Sequence, residues 1–509
     1  METKRKLSEG DKTMANEKVE IEDVIQKSLI SAKMRAALTK WRQMYEDRPP
    51  WKKAATIEDP TEIETEGYPA TIAREKARMA TLEMKSVITG VNGTETENAS
   101  ERITFLNDSY QSGVIEKMPT QVEFAAALGG LIIKPYLVFD NESNGTFEFD
   151  FVQADDFLPL AFSVNGKITD AAFLETKTKV DKIYTRIERH RLTNRGVMIT
   201  NTAYVRDVRS TNSSITQIAD LGKLIPLTAV PEWEDLEPQK EISGIKQLLF
   251  GYIKMPEANT IDTYSPLGIS VFARAADLIK QADMQYSRLL WEFRGGELAI
   301  DVDRNALIDN SYKDDDGVIH NRTTLGIMQQ RLFRKTNIDA SQGETYNVFN
   351  PSFRDVSLLN GLNNILMRVE DVCSLSRGTL SNVNAEARTA TELKINKQRT
   401  YQSNAEIQKA IEKALQDVVY AMNVYTDFYK LYPAEEYAVS FAWDDSVISD
   451  IQEEIKTRLI LQQNGIESKL NIRMWYFGET EEQARAALEQ IQEEDSGGIE
   501  RDKYTAYSE

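Results

Sequence analysis

The spacing of apolar residues changes along this chain, from helical to alternating and then to a seven-residue repeat. In the N-terminal part it predicts helices over residues 17–47, 68–90 and 101–117. Arg48-Pro49-Pro50 ends the first, and prolines, glycines and asparagines between the helices read as loops. From Gly129 the texture becomes strand-like. Leu131-Ile132-Ile133, Tyr136-Leu137-Val138-Phe139 and Phe147-Glu148-Phe149-Asp150-Phe151 read as strands, the last alternating with period two. Asn144-Gly145 and Asn165-Gly166 sit between such runs as hairpin signals. The pattern continues through Lys182–Glu188 and Tyr204-Val205, so residues 130 to about 255 form a mainly antiparallel, β-rich region.

The repeat that follows is more regular. Phe272, Ala275, Ile279, Ala282, Tyr286, Leu289 and Phe293 step alternately by three and four, a heptad seam. Arg274, Asp277, Lys280, Asp283, Arg288 and Glu292 fall off it. A second helix carries Leu358, Leu362, Ile365, Val369 and Val372. A third begins near Glu386 and reaches Phe428, with a seam from Ile407 through Ile411, Ala414, Val418, Ala421 and Tyr425. Its first half, with Arg388, Lys394, Lys397 and Arg399, lacks an apolar face, as in a helix that bridges solvent or lines a wet space. Such seams serve bundle packing within one chain or packing between identical subunits, and the spacing leaves both open.

Between the first two long helices, Leu298–Val302 and Tyr346–Phe349 read as strands and Lys313–Gly317 as a turn. This insertion predicts a small α/β knob at the far end of two antiparallel helices. Ser376–Thr389 holds Gly378, Thr379, Ser381, Asn382 and Asn384, residues that disfavour helix, and reads as a loop. After Pro433 come a strand, Tyr437–Trp443, and an acidic turn, Asp444–Ser446. A helix then runs from about Ser449 to Asn464, stopped by Gly465, and Ser468 caps a short helix to Phe477. Thr480-Glu481-Glu482-Gln483 opens the last helix by a capping box, and a polar tail follows from Asp495. The fold class is α+β, with helix in excess.

Composition narrows the function. Across 509 residues the formal charge is −19, so the chain repels a duplex on average and is unsuited to gripping phosphates, though not to a conduit past which DNA slides. The single cysteine, Cys373, excludes an internal disulfide and reads as a small buried hydrophobe. With only His190 and His320, histidine-based zinc sites and triads are nearly excluded. No phosphate loop or dinucleotide fingerprint occurs, and no apolar run is long enough for a membrane span. Residues Met1–Lys12 do not read as a signal peptide, and Met14 is a second candidate start. Asp314-Asp315-Asp316-Gly317 reads as a solvated turn, because Tyr312 stands where a calcium loop needs its first oxygen ligand. Asp444, Asp445, Asp450 and Glu453 form the one acidic group suggestive of a two-metal nuclease; the alternative is a turn followed by carboxylates at a helix N-terminus.

Three segments in order carry a resemblance. Ser265-Pro266-Leu267-Gly268-Ile269-Ser270-Val271-Phe272-Ala273-Arg274-Ala275-Ala276-Asp277-Leu278-Ile279-Lys280 runs on to Leu290-Trp291-Glu292-Phe293; Ala387-Arg388-Thr389-Ala390-Thr391-Glu392 follows, and then Trp443-Asp444-Asp445-Ser446 with Gly465 and Gly478-Glu479-Thr480. Together, over roughly residues 20–495, they resemble portal proteins of long-tailed phages of Gram-positive bacteria. The resemblance implies a homo-oligomeric ring, usually of twelve subunits, at one capsid vertex, assembled in the host bacterial cytoplasm. It implies a wing over 20–265, a first stem helix over 266–296, a clip over 297–353, a second stem helix over 354–376 and a tunnel loop over 377–389. A long helix and returning strand over 390–448 complete the wing, and crown helices span 449–495. Residues 1–19 and 496–509 are then flexible tails. Arg377, Asn382, Asn384 and Arg388 become the candidates facing the DNA channel. The implied partners are the chain itself, double-stranded DNA without sequence specificity, the terminase large subunit, capsid and scaffolding proteins and a head–tail adaptor. No cofactor, metal, catalytic residue or membrane is implied. A portal-like protein of a domesticated prophage particle fits the same residues.

Overall fold

The computed structural model describes residues 30–57, 61–90, 100–139, 145–164, 166–208, 221–303, 310–322, 332–336, 346–382, 390–443, 451–477, 481 and 484–491. The chain divides into two compact units, Met1–Ala442 and Trp443–Glu509.

The first unit opens with α1 (Ala32–Tyr45). Ser31 caps it, its hydroxyl accepting from the Met34 N–H at 3.2 Å, and Met34, Leu38, Trp41 and Met44 face the core at helical spacing. The part of the predicted helix before residue 30 lies outside the described residues. The expected helix over 68–90 is two elements: α2 (Tyr68–Thr81), begun by Pro69, and a strand, β1 (Lys85–Gly90). Leu82 turns extended and Glu83 takes a left-handed φ of 52°, which ends the helix before the β-branched run Val87-Ile88-Thr89. The predicted 101–117 helix likewise ends earlier. Ser100 caps α3 (Glu101–Gly113), a 3-10 turn covers Ile115–Lys117, and α4 (Met118–Leu128), absent from the sequence reading, follows. Its buried Val122 and Ala125–Leu128 lack a polar face to reveal a period.

The β-rich region holds two antiparallel sheets. In one, β2 (Gly130–Phe139) lies between β3 (Gly145–Gln153) and β10 (Gly251–Lys254). Pro135 is tolerated in β2 because β10 pairs only with Gly130–Ile133, so the missing N–H falls past the end of that ladder. The other runs β4 (Phe157–Phe162), β5 (Ile168–Lys179), β6 (Lys182–Leu192), β7 (Gly196–Asp207) and β8 (Lys223–Ile225), with β9 (Gln239–Ser243) also on β7.

Long helices complete the unit: α5 (Ala276–Gly295), α6 (Asp355–Val372) and α7 (Ala390–Phe428). Ile407, Ile411, Ala414, Val418 and Met422 of α7 are fully buried. Gly251 brings β10 against α7 so closely that a Cβ there would collide with the Ala414 carbonyl. Buried Arg102 pins α3 to the end of α7, pairing with Asp427 at 2.7 Å and donating to the Tyr432 and Pro433 carbonyls. β16 (Tyr437–Ala442) then pairs antiparallel with β1, from Lys85 opposite Ala442 to Gly90 opposite Tyr437.

The insertion between α5 and α6 is largely strand and turn among the described residues. β11 (Ala299–Asp303) lies between β14 (Phe333–Thr336), parallel to it, and β15 (Tyr346–Phe349), antiparallel. β12 (Asn310–Lys313) and β13 (Ile319–Arg322) form a hairpin. Its turn is self-satisfied: Asp314 Oδ1 accepts from the Asp316 and Val318 N–H groups at 3.1 and 2.8 Å, and Gly317 takes φ 77°.

In the second unit α8 (Ile451–Gln463) is followed by Gly465 at φ 72°. Ser468 caps α9 (Lys469–Phe477), accepting from Asn471 N at 3.1 Å. Arg458 joins the two helices, pairing with Glu467 and lying 4.3 Å from the Trp475 ring centroid.

Candidate functional site

The α5–α6 hairpin sets the geometry of the candidate site. Glu292 near the end of α5 meets Arg354 at the start of α6 through two side-chain hydrogen bonds of 2.7 and 3.1 Å, and Phe293 lies 5.8 Å from Phe353. About two turns back along α5, Gln285 donates to the Leu358 carbonyl at 3.2 Å. Partners advance along α6 as they recede along α5, so the two helices are antiparallel, with the β knob at their far end.

Of the first seam, Phe272, Ile279 and Leu289 are buried, Tyr286 is half-buried and Phe293 is exposed. Phe272 precedes the helix, separated from it by a 3-10 turn, Ala273–Ala275. Of the second seam, Leu362 and Val369 are buried while Leu358 and Ile365 are half-buried. Outside those stripes the hairpin presents large apolar side chains to solvent: Trp291 is 68 % exposed, Val356 64 % and Leu359 47 %.

At the other end of α6 the chain turns back on itself. Ser374 adopts φ 52° and Gly378 φ 96°, and residues 376–382 fold along the final turns of the helix. Asn363 brackets Asn382, donating to its carbonyl at 3.0 Å and accepting its N–H at 2.7 Å. Arg377 is held by Asp371 at 2.8 Å, and Arg399 approaches the same carboxylate at 3.5 Å. Of the four channel candidates, then, Arg377 is ion-paired and Asn382 is anchored through its main chain. Asn384 and Arg388 lie outside the described residues.

Beneath the turn, buried Lys76 of α2 donates to the Ser374 carbonyl at 3.0 Å and Ser403 Oγ at 2.8 Å. Burial brings its ammonium down to about 8, against the pull of Cys373, Glu257 and Glu406. Burial pushes the Cys373 thiol up to about 12, with Lys76 opposing, so the thiol stays protonated and unreactive. Further along α7, Thr400, Asn404 and Gln408 are buried and Arg399 is exposed, while Arg388 and the side chains of Lys394 and Lys397, on which the expectation of a wetted first half rests, lie outside the described residues.

His190 sits in the β-rich region, fully buried, with Nε2 2.6 Å from Glu188 Oε1. Burial lowers the imidazole despite Glu188. Burial pushes Glu188 the other way, but Lys134 first, then His190 and Arg186, hold it well below the carboxylate range. The cluster joins the two sheets, with Lys134 from β2 and Arg186, Glu188 and His190 from β6. Asp444, Asp445 and Asp450 lie outside the described residues, as does the Glu453 side chain. Among the described residues no His, Cys, Asp and Glu group is arranged to hold a metal, and no helix is long and apolar enough to cross a membrane.

Sequence reasoning missed Glu370, Asn363, Asp371 and Lys76. Glu370 had a visible signal. It continues the row Leu362, Leu366, Glu370 at four-residue steps, so it is a charge on an apolar stripe.

The described residues form a mixed helix-and-sheet fold in which a long antiparallel hairpin carries an inserted knob at one end and a braced turn at the other. A family model described as phage portal protein, SPP1 Gp6-like, matches residues 95–500. The chain belongs to that family, and so to the proteins of the phage capsid. No individual curated protein shows significant similarity to it.

Proposed function

We propose that the chain is the repeating subunit of a closed homo-oligomeric ring, of twelve copies, at one vertex of the phage capsid. Double-stranded DNA passes through its centre during packaging and ejection. On this reading α5 and α6 are the stem, residues 297–353 the clip that receives the terminase large subunit, and residues 20–265 with 390–448 the wing that meets capsid and scaffolding proteins. The crown spans 449–495, the tunnel loop 377–389, and a head–tail adaptor replaces the terminase after packaging.

The observation that carries this is the solvent-exposed apolar surface of the hairpin: Trp291, Val356 and Leu359 remain uncovered after α5 and α6 have packed together. Apolar side chains of that size on paired helices mark a protein interface, and a repeated identical partner closes into a ring. The charge of −19 suits a channel through which a polyanion slides without adhering. Negative-stain electron microscopy of the purified protein tests the reading. Rings with a central hole are expected; monomers at every concentration, with capsid and scaffolding proteins also supplied, would overturn it.

A further inference from the structure

Glu370 lies near the end of α6 with its side chain wholly buried. One carboxylate oxygen accepts from the N–H groups of Gly378 (3.1 Å), Leu380 (2.6 Å) and Ser381 (2.8 Å). The other accepts from Ser381 Oγ at 2.7 Å. Main-chain N–H groups converging on one point form a nest of the kind that binds phosphate. Gly378, at φ 96°, supplies the left-handed step that turns its N–H inward with the others. A buried carboxylate is strongly disfavoured unless donors surround it, and here four do.

We infer that Glu370 acts as an internal phosphate mimic. Its carboxylate fills the nest at residues 378–381, positions the turn, and leaves no vacant anion site for DNA phosphates passing the turn. The DNA half of this inference rests on the portal reading; the clasp itself does not. Vacating the nest would place three converging N–H donors in every subunit of a ring, and phosphate contacts repeated around a bore accumulate into retention of the duplex. Asn363 braces Asn382 separately, at 2.7 and 3.0 Å, so the nest can lose its carboxylate while the end of the turn stays attached to α6.

The test uses full-length protein with Glu370→Ala and Glu370→Gln, read by amide hydrogen exchange. Exchange at Gly378, Leu380 and Ser381 should be at least about tenfold faster in the alanine variant, and less accelerated in glutamine, which keeps one acceptor oxygen. Unchanged protection in β5–β7 shows that each variant is folded, and the glutamine variant carries the test if alanine does not fold. Inorganic sulfate at millimolar concentration should restore protection of the three amides in Glu370→Ala and leave the wild type unchanged. Exchange equal to wild type in the folded variants, or acceleration that sulfate does not reverse, overturns the mimic. Glu370→Ala rings should also retain a short duplex at least about tenfold more tightly than wild type at low salt, with sulfate abolishing the difference. Equal retention alongside sulfate rescue overturns the DNA half alone. Absence of rings in the wild type counts against the portal reading and leaves the exchange result standing.

Discussion

The indole Nε1 of Trp51 donates to the Asp283 carboxylate at 2.8 Å, tying the segment after α1 to the middle of α5. Burial pushes that carboxyl up to about 6, with Trp51 pulling the other way, and Asp156 is raised to about 6 as well, by burial and by Asp155. A carboxyl raised in the folded state binds its proton more tightly there than in the unfolded chain. Its contribution is therefore fully present below about 4 and lost as pH rises through about 6. Asp283→Asn should flatten the fall of melting temperature over that window. At pH 7 it should stabilise the protein by about 1–2 kcal/mol, with no difference at pH 4; equal pH profiles for the two proteins would contradict this. Gly268 makes a second residue-scale test. A Cβ there would strike the Gly129 carbonyl oxygen, at the junction where Met255 donates to that same oxygen at 3.1 Å. Gly268→Ala should cost at least about 2 kcal/mol, measured by denaturant unfolding. Asp283 stands among the positions off the heptad seam and Gly268 within the segment that carries the resemblance; the Trp51 contact to Asp283 spans more than two hundred positions and is invisible to local spacing.

At the scale of elements, the α5–α6 hairpin has two kinds of surface, a buried seam and bare apolar side chains beside it. Ile279 is fully buried within the subunit, so Ile279→Asp places an unpaired charge where water cannot follow, at a cost of about 3–5 kcal/mol. It should lower the yield of folded protein, whereas exposed Lys280→Ala should fold and assemble normally. Trp291→Glu combined with Val356→Glu should leave the subunit's unfolding free energy within about 1 kcal/mol of wild type, because both side chains already meet water. The same double variant should fail to form rings in electron micrographs. Normal rings would remove this face from any subunit interface. The long helices and the alternating strands were legible because their periods are strong and their ends carry glycine, proline and capping signals. The 68–90 and 101–117 assignments were not fully correct. In the first, β1 is fixed by pairing with a strand some 350 positions later, which no local window contains. In the second, the apolar α4 lacks a polar face.

The whole molecule brings charge and assembly together. On the proposed ring reading, copies each carrying −19 repel one another at long range, so ring formation should strengthen as salt screens that repulsion, with the exposed apolar hairpin face as the proposed source of attraction. Mass photometry across a salt series should show the ring fraction rising with ionic strength. A ring fraction that falls instead would mean that the contacts between subunits are dominated by ion pairs. The residue order alone determined the α+β class, the antiparallel hairpin with its inserted knob, the family resemblance and the net charge of −19. Each follows from local period or from composition, which are properties of sequence. Tertiary structure decided that the α5 seam is core as far as Leu289 while Trp291, Val356 and Leu359 beside the seams are bare, and that Arg377 is engaged by Asp371. It also decided that Glu370 is closed over by Gly378, Leu380 and Ser381. Those outcomes depend on which side chains meet after the chain has folded back, and an identical seven-residue spacing serves a buried helix face as well as an exposed one.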